Sequence, residues 1–504
     1  MLRRLLGHAS DYALASVLVT LAGVISFPIF TRIFSVSEYG LLNLVSSMLG
    51  LLVGLGKLGL QTSTIRFFAE AEGGKSDITE DTFISTALLG MIVTGSCATI
   101  AVLLFSELAP GWFWSDPRVR GLMRLTSILV LVRVVDSCLV NVLRAQERSG
   151  VYGAYTVARR YGGLAIILLI MFNMLPGLHG FYAGTITAEA LALLTLGFVV
   201  LRGRSIRLTS YSPKLMRAML AFGLPMAAYE MCSLLLAQGD RYVIQGLLGG
   251  DALGVYSAAY NFSEYVQSAL LFPFSMAMAP MLTRTWEREG KVATRHFIEH
   301  ALHFYILAAV AVVFGMAAVG GEALELLASK KYVPGAVIIP WVMLGMALDG
   351  ANAMLGAGLY LNKRAKTVMA LVVCATVVNL GLNFALVPTQ GILGAAVATL
   401  ITYGGLTTAS ALFSRRYLEI QIPWLHAVKA SACGLVTYLV TAQIENHNLI
   451  ISVGLKLVCA CLTYLILVLA FDRRSREAIK LIPSRLRPSA GASEIRSTTD
   501  TAGR

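Results

Sequence analysis

Apolar residues gather into long stretches separated by short polar breaks, and most stretches are about twenty residues long, what a helix needs to cross a bilayer. The pattern predicts helical spans at about 11–31, 41–65, 82–106, 121–143, 151–175, 180–201, 219–240, 254–281, 296–319, 333–360, 367–388, 392–413, 425–443 and 449–471. That makes fourteen. A helix in lipid satisfies its own backbone hydrogen bonds, so the polar breaks are confined to short loops. Composition agrees. Of 504 residues, 57% are hydrophobic and only 14% charged, whereas a soluble domain averages about 25% charged. Such a chain cannot clothe a globule with polar surface, and the predicted fold class is an all-α polytopic membrane protein. The basic start, "MLRR", has the look of a signal peptide, but its apolar run is too long and shows no convincing small-residue cleavage site. It reads as a retained first helix.

Lysine and arginine test the span count. With fourteen spans, 31 of the 41 basic residues fall on the side of the N-terminus and seven on the other side. This bias predicts that both termini are cytoplasmic. The net charge of +13 then describes scattered loops rather than a nucleic-acid-binding face. The seven cysteines lie inside apolar stretches without metal-ligand spacing and read as small core residues.

A fixed offset of 214 residues relates the two halves. It matches Gly40 to Gly254, "FISTAL" to "FIEHAL", and "GLHGFYAG" to "GILGAAVA", with Gly177 on Gly391 and Gly180 on Gly394. Six spans per copy is an even number, so both copies enter the membrane from the same side. Parallel repeats of this kind are related by a pseudo-twofold axis along the membrane normal. The predicted organisation is a six-helix lobe at 1–201, a cytoplasmic linker at 202–218, a second six-helix lobe at 219–416, two further helices within 417–472, and a basic, disordered tail at 473–504. A central cavity is expected between the lobes, whose rocking would alternate access.

"FPIFTRIFSVSEYGLL", "GLGKLGLQTSTIRFFAE" and "VNLGLNFALVPTQGILGAAVATLITYGG" resemble the polysaccharide-export branch of the multidrug/oligosaccharidyl-lipid/polysaccharide exporter superfamily, which includes Wzx-type flippases. The pattern of Asn379, Asn383, Pro388, Gly391 and Gly394 is its most specific part. The resemblance implies a flippase, not an enzyme. It would carry an undecaprenyl-diphosphate-linked oligosaccharide from the inner to the outer leaflet of the bacterial inner membrane. O-antigen, capsule or exopolysaccharide synthesis would be served, with a polymerase and chain-length regulator as partners. No cofactor is implied; coupling to a proton or sodium ion is allowed.

On that reading a few cavity cations compensate the diphosphate. Lys57 is the leading contact, since a lone lysine in an apolar run needs a distant partner, water or an anionic ligand; the alternative is an ion pair with Glu264. Arg32 and Arg241, near the outer ends of the first helices of the lobes, either guide the diphosphate or snorkel to the interface. Arg159 and Arg160, about two turns inside the fifth span, suggest a vestibule unless that helix starts later. Arg133 and Asp136, three apart, are expected to neutralise each other. Glu264 and Glu230 are candidate gating or coupling acids. Gly50 and Gly54 have the spacing of a close helix contact. A cation-coupled multidrug or metabolite exporter is the rival function, although the first span lacks a dominant carboxylate. A membrane glycosyltransferase would need a sizeable catalytic loop, a nucleotide-binding glycine loop or a metal-ligand cluster, and none is evident. A scaffold for assembly would not need cavity cations.

Overall fold

The computed structural model describes residues 2–72, 79–109, 116–204 and 206–477. Residues 478–504, most of the predicted tail, lie outside the described residues. Fifteen α-helices are described: α1 (Leu2–Ile33), α2 (Val36–Lys57), α3 (Leu60–Glu72), α4 (Glu80–Leu108), α5 (Pro117–Ala145), α6 (Ser149–Asn173), α7 (Gly177–Leu201), α8 (Pro213–Leu270), α9 (Phe272–Leu327), α10 (Ile339–Leu355), α11 (Ala357–Leu361), α12 (Ala365–Gln390), α13 (Ile392–Arg415), α14 (Trp424–Ala442) and α15 (Leu449–Phe471). The other elements among the described residues are 3-10 turns and a helical stretch at 473–477.

Among the described residues, thirteen helices are long and apolar enough to cross a membrane, one fewer than the predicted fourteen spans. The difference lies in α8. Its 58 residues would reach about 87 Å at 1.5 Å per residue, far beyond a hydrocarbon core of about 30 Å. Gly249, at φ 84° and ψ −177°, breaks it, in a conformation open to glycine because it lacks a Cβ. The part before Gly249 carries the predicted span 219–240; the predicted span 254–281 is cut short, since α8 ends at Leu270 and α9 starts at Phe272. Gly290, at φ 81°, breaks α9 in the same way.

The predicted second span, 41–65, is not continuous. α2 opens on a capping box in which Ser35 and Glu38 each bind the other's backbone N–H. It stops at Lys57, where Leu58 (φ 47°) and Gly59 (φ 74°) turn the chain into α3. The cause is a backbone-on-backbone contact: a Cβ at Gly59 would stand 1.9 Å from the carbonyl oxygen of Gly223 on α8.

Gly40 and Gly254, matched by the repeat, meet in space. A Cβ on Gly40 would lie 2.3 Å from Gly250 O and 3.2 Å from Gly254 Cα; one on Gly254 would lie 2.0 Å from Val36 O. Of the predicted close-packing pair, only Gly54 serves, with a would-be Cβ 3.0 Å from Met231 Sδ; Gly50 faces open space.

The chain forms two compact units, residues 1–298 with 320–420, and residues 299–319 with the chain from 421 onward. In the first, Leu236, Ala375, Tyr403 and Leu406 form a buried cluster joining α8, α12 and α13. In the second, Cys433, Tyr464 and Val468 pack on Leu307 and Val310, and the Tyr464 hydroxyl donates to Leu307 O at 2.9 Å. All seven cysteines are free thiols.

Candidate functional site

The site is assembled from charges on three helices. Arg133 and Asp136 lie one turn apart on α5, Arg159 and Arg160 well inside α6, and Glu189 on α7. The expected Arg133–Asp136 pair does not form. Arg133 instead grips Glu189 at two points, Nε to Oε2 and Nη2 to Oε1, both 2.9 Å, the geometry in which a planar guanidinium fork meets a carboxylate best. Asp136, buried on α5, receives Arg159 Nη1 and the Tyr155 hydroxyl. Arg159 also reaches Glu189, Nη2 to Oε2 at 3.4 Å. Two arginines and two acids thus balance, and Arg160 is left over. Its side chain is exposed, and no carboxylate among the described residues lies within ion-pair distance of it.

Arg133, Arg159, Arg160 and Glu189 line a cavity of about 460 Å³. Phe27 and Phe30 of α1, Tyr39 and Asn43 of α2, Phe181 of α7, and Asn261 and Tyr265 of α8 complete its wall with Arg133, Arg159, Arg160 and Glu189. Phe30 and Phe181 meet edge to face with centroids 5.1 Å apart. The wall is closed across the repeat by Asn261, whose Nδ2 donates to the Tyr39 hydroxyl at 3.1 Å and to Asn43 Oδ1 at 2.9 Å.

Arg241 stands behind that wall. It is 5% exposed, sits over the Tyr260 ring at 4.9 Å, and lies 3.8 Å from Asp240 Oδ1. Its Nη1 donates to Ala237 O at 3.3 Å and its Nη2 makes a long contact, 3.5 Å, with Asn261 Oδ1. Arg241 is therefore buried and does not snorkel. Arg32, in the last turn of α1, is exposed and donates to Leu326 O at 2.8 Å, satisfying a carbonyl at the end of α9. Neither arginine lines the cavity.

Lys57 does not line it either. Its ion-pair partner is Glu230 rather than Glu264: Lys57 Nζ is 4.0 Å from Glu230 Oε1, and the Gln61 amide donates to Glu230 Oε2. The break at Leu58–Gly59 explains the change. It docks the joint between α2 and α3 onto Gly223, and Glu230 lies about two turns further along α8. Glu264 is exposed on the second half of α8 and acts electrostatically on Tyr260, Tyr265 and Arg241. At the same joint, Ser63 Oγ donates to Met219 O at 2.7 Å, and Arg66 stands 4.4 Å over the Phe222 ring. Outside the spans, Asp116 caps α5, and the Arg118 guanidinium bonded to it holds its carboxyl below the usual carboxylate range.

The sequence pattern does not single out Glu189, Asn261 or Tyr265. Their roles arise from contacts between helices, and spacing along one chain reports only neighbours on the same helix.

Helices of this length, interrupted by glycine and packed around a charged, aromatic-walled cavity, define a polytopic membrane protein of transporter architecture. The chain belongs to the polysaccharide biosynthesis protein family, whose model matches residues 8–286. It is similar to the probable low-salt glycan biosynthesis flippase Agl15 of Haloferax volcanii, 18% identical over 402 residues that cover 78% of this chain and 80% of the relative. A putative O-antigen transporter of Shigella flexneri is 20% identical over 386 residues, covering 75% of this chain and 90% of the relative. Among solved structures, the lipid II flippase MurJ in an inward closed conformation has the same fold, with a TM-score of 0.75 at 15% identity, covering 92% of this chain and 99% of that one. These relatives are named as flippases and transporters, not enzymes.

Proposed function

We propose that the protein is a flippase for an oligosaccharide linked through diphosphate to a polyprenyl lipid, moving it from the cytoplasmic to the periplasmic leaflet of a bacterial inner membrane. The observation that carries this reading is Arg160, a cation without a carboxylate partner on the wall of an aromatic-lined cavity. A dianionic linkage needs such a charge, and the arginine fork matches phosphate oxygens in plane. Phe27, Phe30 and Phe181 offer apolar ring surface to a sugar, while the polyprenyl chain stays in lipid. Arg159 can add a second contact when phosphate competes with Glu189 for it.

Alternating access would use two of the contacts between the two halves of the chain. The Gly40–Gly254 contact lies at one end of α2 and the Gly59–Gly223 contact, with the Lys57–Glu230 pair, at the other. Opening one while the other holds would expose the cavity to one side at a time. In this scheme Lys57 guards an exit rather than grips the headgroup, and Glu264, exposed and outside any ion pair among the described residues, is the candidate acid for ion coupling. The excess of basic residues on the N-terminal side supports cytoplasmic termini. For the rival function, a cation-coupled multidrug or metabolite exporter, the surplus positive charge of the cavity disfavours cationic substrates.

A deletion strain tests the assignment. Loss of the protein should leave a lipid-linked oligosaccharide accumulating on the cytoplasmic leaflet. Normal levels of such lipids, with altered drug resistance instead, would favour the exporter.

A further inference from the structure

The second unit carries a cluster that the proposed transport function does not use. His303 comes from the 299–319 segment of α9, His426 from the first turn of α14, and Asp472 follows the last residue of α15. His303 Nε2 lies 3.0 Å from Asp472 Oδ2, and His426 Nε2 lies 4.0 Å from Asp472 Oδ1. The imidazole rings meet edge to face with centroids 4.9 Å apart. One ligand atom from each residue falls within 4.8 Å of the other two. We propose that these three side chains form a binding site for a divalent transition-metal ion of the zinc class, with water in the fourth position.

Several features fit a metal rather than a simple ion pair. Metal bonds of about 2.0–2.2 Å in a tetrahedron put ligand atoms roughly 3.3 Å apart; the His303–Asp472 separation is already close to this, and His426 needs to move by about an ångström. The residues line a cavity of about 10 Å³, the scale of a single water or ion. His303 is 1% exposed, so packing holds its ring in place with Nε2 turned to Asp472. Asp472 is oriented from behind by the Ser475 backbone N–H, 3.0 Å from Oδ2, and by the Ser475 hydroxyl, the outer-shell support typical of metal carboxylates.

The surrounding charges select the class of ion. Lys429 lines the same cavity, and Arg474 follows Asp472 by two residues. One carboxylate against two cations cannot hold a hard ion such as calcium or magnesium, which needs many oxygen ligands. Imidazole nitrogens bind zinc, nickel or copper through the ligand bond itself. With ligands from three helical segments, the ion would clip α14 and α15 to the 299–319 stretch of α9.

The test uses the full chain carrying a histidine-free affinity tag, stripped with chelator and titrated with Zn²⁺ against a chromogenic competitor. The wild type should retain one zinc per chain, and Co²⁺ in its place should give the visible absorption of a tetrahedral site. His303 is buried and its loss could unfold the protein, so the informative variant is His426→Ala, at a partly exposed position. It should weaken zinc binding by at least about tenfold and abolish the cobalt spectrum, while His447→Ala, in an exposed loop, leaves both intact. Zinc binding equal in the wild type and His426→Ala, or lost equally in His447→Ala, would overturn the site.

Discussion

Arg133 of α5 and Glu189 of α7 are joined by two parallel contacts of 2.9 Å, and the same glutamate holds Arg159 of α6 at 3.4 Å. One carboxylate therefore orients two guanidinium groups at the cavity wall. Because Asp136 supplies the second negative charge, Arg160 is the surplus cation.

Arg160→Ala should reduce transport while leaving insertion and folding intact, because no protein ion pair is lost. Hydrogen bonds to charged groups contribute about 1.5–3 kcal/mol, which corresponds to roughly a ten- to hundredfold loss of affinity for the diphosphate. Arg160→Lys should fall between, keeping the charge and losing the fork. Surface polysaccharide in a complemented deletion strain, normalised to protein level, reads the effect.

Glu189→Gln should destabilise the protein rather than merely slow it. Breaking a buried pair by removing one partner costs about 3–5 kcal/mol, and the value here should be lower, since Arg133 keeps 27% of its side chain exposed. Adding Arg133→Met should recover part of the loss. Thermal unfolding of the two single variants and the double variant in detergent gives the coupling, expected at about 0.5–3 kcal/mol.

Gly254→Val should block transport, and Gly50→Ala should not. At Gly254 the first added carbon already stands 2.0 Å from Val36 O, a backbone atom that cannot swing aside, while Gly50 has nothing within 4 Å. Cysteine pairs placed across the contact, at Ser37 and Gly250, should crosslink in the wild-type background and fail in the Gly254→Val background.

Charge reversal at Lys57 or Glu230 alone should impair export, and the exchange of both should restore it. The pair is partly exposed, with side chains at 20% and 32%, so the energy involved is modest and the readout is transport rather than unfolding. Restoration by exchange with Glu264 instead would contradict the observed partner.

The span pattern was legible because lipid imposes length and apolarity on every crossing segment, and Gly40 and Gly254, matched by the 214-residue offset, do meet in space. Arg159 and Arg160 stood out as two arginines inside an apolar run. The break after Lys57 did not, since "GLGKLGL" is apolar on both sides and a glycine within a membrane helix is ordinary; only contact with Gly223 requires the turn. The pairing of charges was also hidden. Arg133 and Asp136 share a face of α5, yet each finds a better-placed partner on another helix, and Arg241 beside Asp240 gives no hint that both are buried.

The central claim is that the cavity binds a lipid-linked diphosphate through its arginines. Native mass spectrometry of the purified chain with a polyprenyl-diphosphate oligosaccharide measures this directly, with wild type, Arg160→Ala and Gly50→Ala compared at equal lipid concentration. One bound lipid on the wild type and on Gly50→Ala, with occupancy on Arg160→Ala reduced by about tenfold or more, is the predicted result. Equal occupancy on all three proteins would contradict it.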